Sequence, residues 1–248
     1  MISLLLTLAA ATPAPAAPVR YHLTTKSTTE VDMSAMGQGV QSFPMALSAF
    51  ISVTVSDSGF GRVVHVVIDS STFDAGPAAA YLPPAMSASP NGAVFHFYAV
   101  NGKPTTALVP SPATFQAAQL APAITLLLPG LHSAKPGDSW SDTTRTDTTI
   151  AQTDVSATTA GTSVTTWTAK SADDGIRQLD GVTTSRAAVG GASMKMDLKM
   201  TGTVHATAPT GQLATAATAM SFGQASMNVA GNAIPMKMMV EISATLLP

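Results

Sequence analysis

Three long stretches of this chain alternate apolar and polar residues with a period of two. They are residues 43–55, 192–204 and 234–246. In the second stretch, Met196, Leu198 and Met200 alternate with Asp197 and Lys199. Successive side chains of a β-strand point to opposite faces of its sheet, so the alternation predicts strands with one apolar face and excludes helices. These strands are longer than the common length of about five to six residues, which favours a broad, curved, antiparallel sheet.

Turn signals divide the chain into two groups of such strands. Gly37-Gln38-Gly39, Ser56–Gly59 and Asp173-Asp174-Gly175 each separate two runs rich in β-branched residues, and a further turn is predicted near Ala160-Gly161. Two β-meanders result, at 19–72 and 138–248. Their similar strands suit either one continuous sheet or two matched halves.

Proline occupies the second position of two of the alternating stretches, as Pro44 and Pro235. Proline has no N–H group to donate to a β-ladder. Both residues are therefore expected at the beginning of a strand or at an edge of the sheet.

Residues 73–137 form a proline-rich insert between the meanders. A hairpin is predicted around Asn101-Gly102, because both residues tolerate the positive φ of a tight turn. One short helix is predicted near 112–121, with Ser111 as its N-cap and Pro112 in its first turn. The expected fold class is all-β with one short helix: a large curved antiparallel sheet, or half-barrel, built from two meanders.

The composition of the chain limits where the protein can be located and which partners it can bind. Residues 1–16 begin with an apolar run and end in Ala14-Pro15-Ala16, the pattern of a cleaved secretory signal, which leaves 17–248 as a single β domain. We therefore expect an exported protein, periplasmic or extracellular. The chain has no cysteine, 10% charged residues and a net charge of -2, so we expect no disulfide and no binding to nucleic acid. No later stretch approaches the roughly 20 apolar residues of a membrane-spanning helix.

No catalytic, metal or cofactor motif is found in the sequence. The histidines are His22, His65, His96, His132 and His205. None forms a pair at metal-ligand spacing, and a plain surface or sheet role is expected for them. Asp173-Asp174 is interpreted as hairpin-turn chemistry. The protein is therefore predicted not to be an enzyme, with no catalytic residue, no metal site and no cofactor.

Methionine is concentrated in the predicted strands, where β-branched residues are usually preferred. Flexible thioethers line surfaces that accept varied apolar partners, but they also fill ordinary cores. The functional interpretation is a binding face for a lipid or another apolar small molecule. Its candidate residues are Met45, Leu47, Ile51, Met194, Met196, Leu198, Met200, Met236, Met238 and Val240. The alternative interpretation is a core packed with methionine.

Residues 126–140, "LLLPGLHSAKPGDSW", resemble a segment of a family of exported bacterial β-proteins of unassigned function that contain Gly-Asp-Ser-Trp. Residues 21–38, "YHLTTKSTTEVDMSAMGQ", are similar to the opening strand of that family. More distantly, the predicted architecture resembles the half-barrels of periplasmic lipoprotein carriers and mycobacterial lipid-binding lipoproteins. That second resemblance implies a sheet that shelters acyl chains.

Two functions therefore remain open. The first is a non-enzymatic exported protein that binds a lipid or acyl chain on a Met-lined concave face, with the helix as a partial lid. The second is a structural or interaction module of the cell envelope, with a filled core and another envelope protein as its partner. An unfilled apolar cavity of several hundred Å³ would favour the first.

Overall fold

The fold is one antiparallel sheet of eleven strands, in the order β5-β4-β3-β2-β1-β11-β10-β9-β8-β7-β6. The computed structural model describes residues 17–34, 37–82, 84–151, 156–190, 194–229 and 232–248. The proposed export signal at 1–16 lies outside the described residues. The strands are β1 (Val19–Asp32), β2 (Val40–Ser58), β3 (Gly61–Asp74), β4 (Val94–Val100), β5 (Lys103–Pro104), β6 (Ser139–Ala151), β7 (Ser156–Asp173), β8 (Ile176–Gly190), β9 (Met194–Pro209), β10 (Ala216–Val229) and β11 (Asn232–Leu246).

Pairing between β1 and β11 joins the two meanders into one continuous sheet. Its register runs from Tyr21 opposite Leu246 to Val31 opposite Met236. All other neighbouring strands in the sheet are consecutive in the chain, which is the pattern of a meander. The predicted fold class is confirmed, and of the two arrangements left open the structure shows the single sheet.

Residues 43–55 lie in β2, the described part of the second stretch, residues 194–204, lies in β9, and residues 234–246 lie in β11, as their period requires. Predicted hairpins at Asn101-Gly102 and Asp174-Gly175 are also confirmed. In each pair both residues have positive φ, 49° and 76° in the first and 48° and 76° in the second. This is the backbone that a two-residue turn between twisted strands demands.

The turn predicted at Ala160-Gly161 is wrong, because β7 continues through both residues from Ser156 to Asp173. Gly161 lies opposite Thr146 of β6 and Ala187 of β8. A Cβ atom at Gly161 would lie 3.3 Å from the Cβ of Ala187. The glycine therefore permits a close approach between two strands and does not end one.

Pro44 and Pro235 each lie near the beginning of a strand and pair on one side only. Pro44 lies opposite Thr28 of β1, whereas the β2–β3 pairing begins later, at Ala46. Pro235 lies opposite Ser226 of β10, beyond the last β1–β11 pair. The missing N–H group therefore breaks no ladder, as predicted.

The helix α1 (Phe115–Thr125) lies further along the chain than the predicted 112–121. Its N-cap is Thr114, whose Oγ1 accepts a hydrogen bond from the N–H of Ala117 at 3.1 Å. The predicted N-cap, Ser111, instead exchanges two backbone hydrogen bonds of 2.9 Å with Val94. A tertiary strand contact has thus displaced a local capping signal.

α1 packs against one face of the sheet, which we call the inner face, in contact with β1 and β11. Leu120 and Ile124 of the helix are fully buried. The same buried cluster contains the sheet side chains Tyr21, Leu23, Ala49, Ile51, Val53, Val64, Val66, Ile68, Phe95, Phe97, Trp167, Leu179, Val204, Ala206 and Ala244. These side chains form a single buried core on the inner face.

A 3-10 helix at Leu128–Leu131 follows α1 and is held by a buried arginine. Arg177 is 1% exposed, and its guanidinium donates hydrogen bonds to the carbonyls of Gly130 at 2.6 Å, His132 at 2.7 Å and Ala134 at 3.0 Å. Burial lowers the pKa of Arg177. Backbone carbonyls therefore replace the carboxylate that usually accompanies a buried arginine.

The segment with Gly137-Asp138-Ser139-Trp140 is a turn that leads into β6. The Asp138 carboxylate accepts a hydrogen bond of 2.8 Å from the N–H of Lys135, and the N–H of Gly137 donates to the carbonyl of Ala169 at 2.8 Å. Trp140 then stacks between His132 and Trp167, with ring centroids 4.3 Å and 6.5 Å apart. The motif has a structural role in the entry to this strand.

Candidate ligand-binding site

Some of the candidate binding residues are buried in the core of the inner face, and the others are partly exposed on the same face. Leu47 and Ile51 belong to the buried core, 4% and 0% exposed. Met45 lies beside the beginning of α1, where only a cavity of about 30 Å³ remains between the helix and strands β1 and β2. The predicted lid is therefore a packed helix over a filled core.

The other candidates are half-buried residues of β9 and β11 on the inner face. They are Met196, Leu198, Met200, Met236, Met238 and Val240. The register brings them together: Met200 lies opposite Gly223, which lies opposite Met238. The side chain of Met194 lies outside the described part of the chain. One continuous sheet thus places Met196 and Met200 of β9 on the same face as Met236 and Met238 of β11, with β10 between them.

Glycines on a diagonal line that begins in the core let the sheet bend. Gly181, Gly202 and Gly223 occupy successive strands β8, β9 and β10. A Cβ atom at Gly202 would lie 2.2 Å from the carbonyl oxygen of Met220, and one at Gly223 would lie 2.5 Å from the Cγ of Met200. Glycine in a strand interior often marks a tight bend or a close approach, and here it allows neighbouring strands to fold close together.

A large concavity of the described chain lies on the opposite face of the sheet, which we call the outer face. It is an open groove of about 620 Å³ across β9, β10, β11 and β1. Eight of the residues that line it belong to the outer face by register: Thr28, Glu30, Lys199, Thr201, Phe222, Gln224, Lys237 and Met239. Gly223 and Met238, which the register assigns to the inner face, complete the lining. We call this concavity the outer groove.

Two cross-strand rows build the outer groove. In the first row, Phe222 lies between Thr201 and Met239, and Met239 lies opposite Thr28. Phe222 is 55% exposed, so its ring offers an apolar surface to a ligand. Since opposite residues in a β-ladder are close enough for their side chains to touch, this row makes an apolar strip with polar ends.

The second row contains charged residues. It runs parallel to the first row and is displaced from it by two residues on each strand. Gln224 lies between Lys199 and Lys237, and Lys237 lies opposite Glu30. Ion pairs within 4.0 Å in the described chain involve other residues, which leaves the two ammonium groups available to a ligand. The outer groove therefore combines an apolar strip with a mainly cationic one.

A cluster of titratable side chains lies at the seam where β5 approaches β6. Lys103 donates a hydrogen bond to the carbonyl of Ser141 and lies 3.5 Å from the carboxylate of Asp142. Trp140 donates to the same carboxylate at 3.2 Å. Burial raises the pKa of Asp142, and burial followed by the positive charge of Lys103 lowers the pKa of the neighbouring His132. These contacts hold the ends of the sheet together.

The remaining histidines make local contacts on the sheet. His22 lies 2.8 Å from the Ser48 hydroxyl, and His205 lies 2.8 Å from the Asp180 carboxylate. Within the described residues, no three His, Asp or Glu side chains converge where they could hold a metal ion. No helix of the described chain is both long and apolar enough to cross a membrane.

Sequence reasoning missed the outer groove because it followed the apolar face of each alternating stretch. Phe222 and Met239 lie at polar-phase positions of β10 and β11, opposite in orientation to Ala217 and Ala244 of the core. The signal available in the sequence was a bulky apolar residue at a strand position where the alternation predicts a polar one. Which other residues join it across the sheet depends on strand order and register.

Comparison with known proteins adds little to this description. No protein-family model matches the chain, and no curated protein matches it. A solved structure of a Rhodopseudomonas blastica porin variant is similar at 9% identity, over 91% of this chain and 99% of that chain, with a TM-score of 0.28. A triple mutant of the same porin has 7% identity, the same coverage and the same TM-score. A likeness this weak carries no argument about function, and the two resemblances drawn from the sequence stay predictions.

Proposed function

We propose that this protein is an exported, non-enzymatic protein that binds an apolar ligand, such as a lipid or an acyl chain. The observation that carries the proposal is the outer groove, whose volume of about 620 Å³ lies within the range of roughly 300–1,000 Å³ usual for ligand sites. Its apolar strip of Phe222 and Met239 supplies the contact surface. Export is supported by the signal pattern at residues 1–16.

The Met-lined inner face is the other place where an apolar ligand could bind. Its residues are half-buried, so they offer less exposed apolar surface than Phe222. The cavity beside α1, at about 30 Å³, has room for roughly one water molecule. We therefore place the ligand in the outer groove, and the inner face serves mainly for packing.

The proposal is tested by native mass spectrometry of the protein, purified without detergent and then incubated with oleate. We expect near-stoichiometric uptake that Phe222→Gln strongly reduces, because an uncharged polar side chain then replaces the apolar floor. Met220→Gln is the matched control, since Met220 is an exposed outer-face residue of the same strand that does not line the groove. Circular dichroism spectra of the variants verify that the sheet is retained.

The inner face is tested in parallel with the double variant Met196→Gln and Met236→Gln. Loss of oleate uptake in this variant alone would move the site to the inner face. Uptake by neither the wild type nor any variant would overturn ligand binding.

A second candidate function is an interaction module of the cell envelope, and the filled core beneath α1 favours it. A protein without uptake of oleate that nevertheless binds a purified envelope protein through the exposed outer face would support this candidate.

A further inference from the structure

The outer face carries a row of basic residues that extends beyond the outer groove. Arg186 of β8 lies opposite Lys199, and through Thr162 of β7 it is linked to Arg145 of β6. The full row across the sheet reads Arg145, Thr162, Arg186, Lys199, Gln224, Lys237 and Glu30. The row holds four of the 12 Lys and Arg residues of the chain, in a protein whose net charge is -2. This row is therefore locally cationic, although the net charge of the whole chain is weakly negative.

Spacing makes the strip suitable for a single anionic group. Neighbouring strands are about 4.8 Å apart, so Lys199 and Lys237, two strands apart, are separated by roughly 10 Å at the backbone. Their flexible side chains can converge on one oxyanion above Gln224, whose amide N–H groups can donate to it as well. Glu30 at the far end of the row disfavours an anion there, which fixes the head group on the β9–β11 side.

The apolar strip lies directly beside this cationic centre. Phe222 and Gln224 are two residues apart on β10, on the same face of the sheet, and Met239 and Lys237 have the same relation on β11. A ligand with an anionic head above Gln224 can therefore lay its chain over Phe222 and Met239. The cationic centre and the apolar strip are therefore complementary to the head group and the chain of a single amphiphilic molecule.

We propose that the ligand of the outer groove is a single-chain anionic amphiphile, with its head group between Lys199 and Lys237 and its acyl chain along Phe222 and Met239. This inference rests on the proposed function and adds the charge and the orientation of the ligand. It also assigns Lys199 and Lys237 as residues that determine specificity.

The test compares two probes that share one acyl chain. Oleoyl-lysophosphatidylglycerol is anionic and oleoyl-lysophosphatidylcholine is zwitterionic, and both are titrated below their critical micelle concentrations by isothermal calorimetry. We expect the wild type to prefer the anionic probe. The double variant Lys199→Gln and Lys237→Gln should lose roughly 10- to 30-fold in affinity for that probe, since each lysine contributes about 1 kcal/mol near an anionic head group.

Two single variants sharpen the result. Lys26→Gln is the matched control, because Lys26 is an exposed outer-face lysine of β1 that lies outside the groove, opposite Glu241. It should leave both affinities unchanged. Glu30→Gln removes the one acidic group of the groove and should raise the affinity for the anionic probe.

The outcomes separate this inference from the proposed function. Equal affinity of the wild type for both probes would overturn the inference while leaving ligand binding intact. A loss in the double variant that is equal for both probes would also overturn it, because the lysines would then act through the structure of the groove. Binding of neither probe by a protein that takes up oleate would overturn the inference alone, whereas binding of neither probe together with no uptake of oleate would overturn both proposals.

Discussion

Gly202 is the position at which the curvature of the sheet can be tested most directly. A Cβ atom there would lie 2.2 Å from the carbonyl oxygen of Met220, 2.3 Å from the Oγ of Ser221 and 2.7 Å from the Cα of Ser221. Ordinary van der Waals contact begins at 3.4 Å. Two of these three atoms belong to the backbone of β10, so the added methyl group of Gly202→Ala can be accommodated only if the two strands move apart by about 1 Å.

We expect Gly202→Ala to destabilise the protein by about 3 kcal/mol, the upper end of the usual range for overpacking. For a chain of this size, that corresponds to a fall in Tm of roughly 6–12 °C. The opposing effect, a less flexible unfolded chain, stabilises by only about 0.4–1 kcal/mol. Urea denaturation followed by circular dichroism measures the difference in the free energy of unfolding.

Substitutions of two other glycines provide comparisons for the change in the free energy of unfolding. Gly59→Ala is the control, since no atom lies within 4 Å of a Cβ at that position and its φ is not in the left-handed region, so a change of less than 1 kcal/mol is expected. Gly223→Ala should fall between the two, because the atom nearest to its Cβ, at 2.5 Å, belongs to the flexible side chain of Met200, and the nearest backbone atom, the carbonyl oxygen of Lys199, lies at 2.8 Å, further away than the 2.2 Å at Gly202. A Gly202→Ala protein as stable as the Gly59→Ala protein would refute the role of Gly202 in bringing β9 and β10 close together.

Two further predictions concern the buried polar groups. Arg177→Met should destabilise by about 3 kcal/mol in urea denaturation, because the carbonyls of His132 and Ala134 lose their donor, whereas Gly130 keeps a hydrogen bond of 3.0 Å from Gly211; an unchanged midpoint would contradict this. For Asp142, burial raises the pKa of the folded state, so its stabilising contribution is complete below the ordinary value of about 3.9 and is lost as the pH rises through the folded-state pKa. The stability of the wild type relative to Asp142→Asn should therefore decline as the pH rises from about 3.9 through the folded-state pKa, and a difference that does not vary with pH would contradict the assignment.

The sequence by itself determined the strands, the hairpins and the class of fold. A period of two forces apolar residues onto one face, so β2, β9 and β11 could be recognised without knowledge of their partners. Turn chemistry is equally local, because a positive φ at Asn101-Gly102 needs only those residues. The prolines at 44 and 235 also followed from a local property, the missing N–H group.

Tertiary structure decided what depends on partners distant in the chain. Ser111 lost its capping role because it pairs with Val94, and Gly161 is a point of close approach because Ala187 lies beside it. The outer groove is the clearest case: Phe222, Lys237 and Thr28 come together only once β1 pairs with β11. Periodicity assigns each side chain to a face, but strand order and register decide its neighbours on that face, and a binding site is made of neighbours.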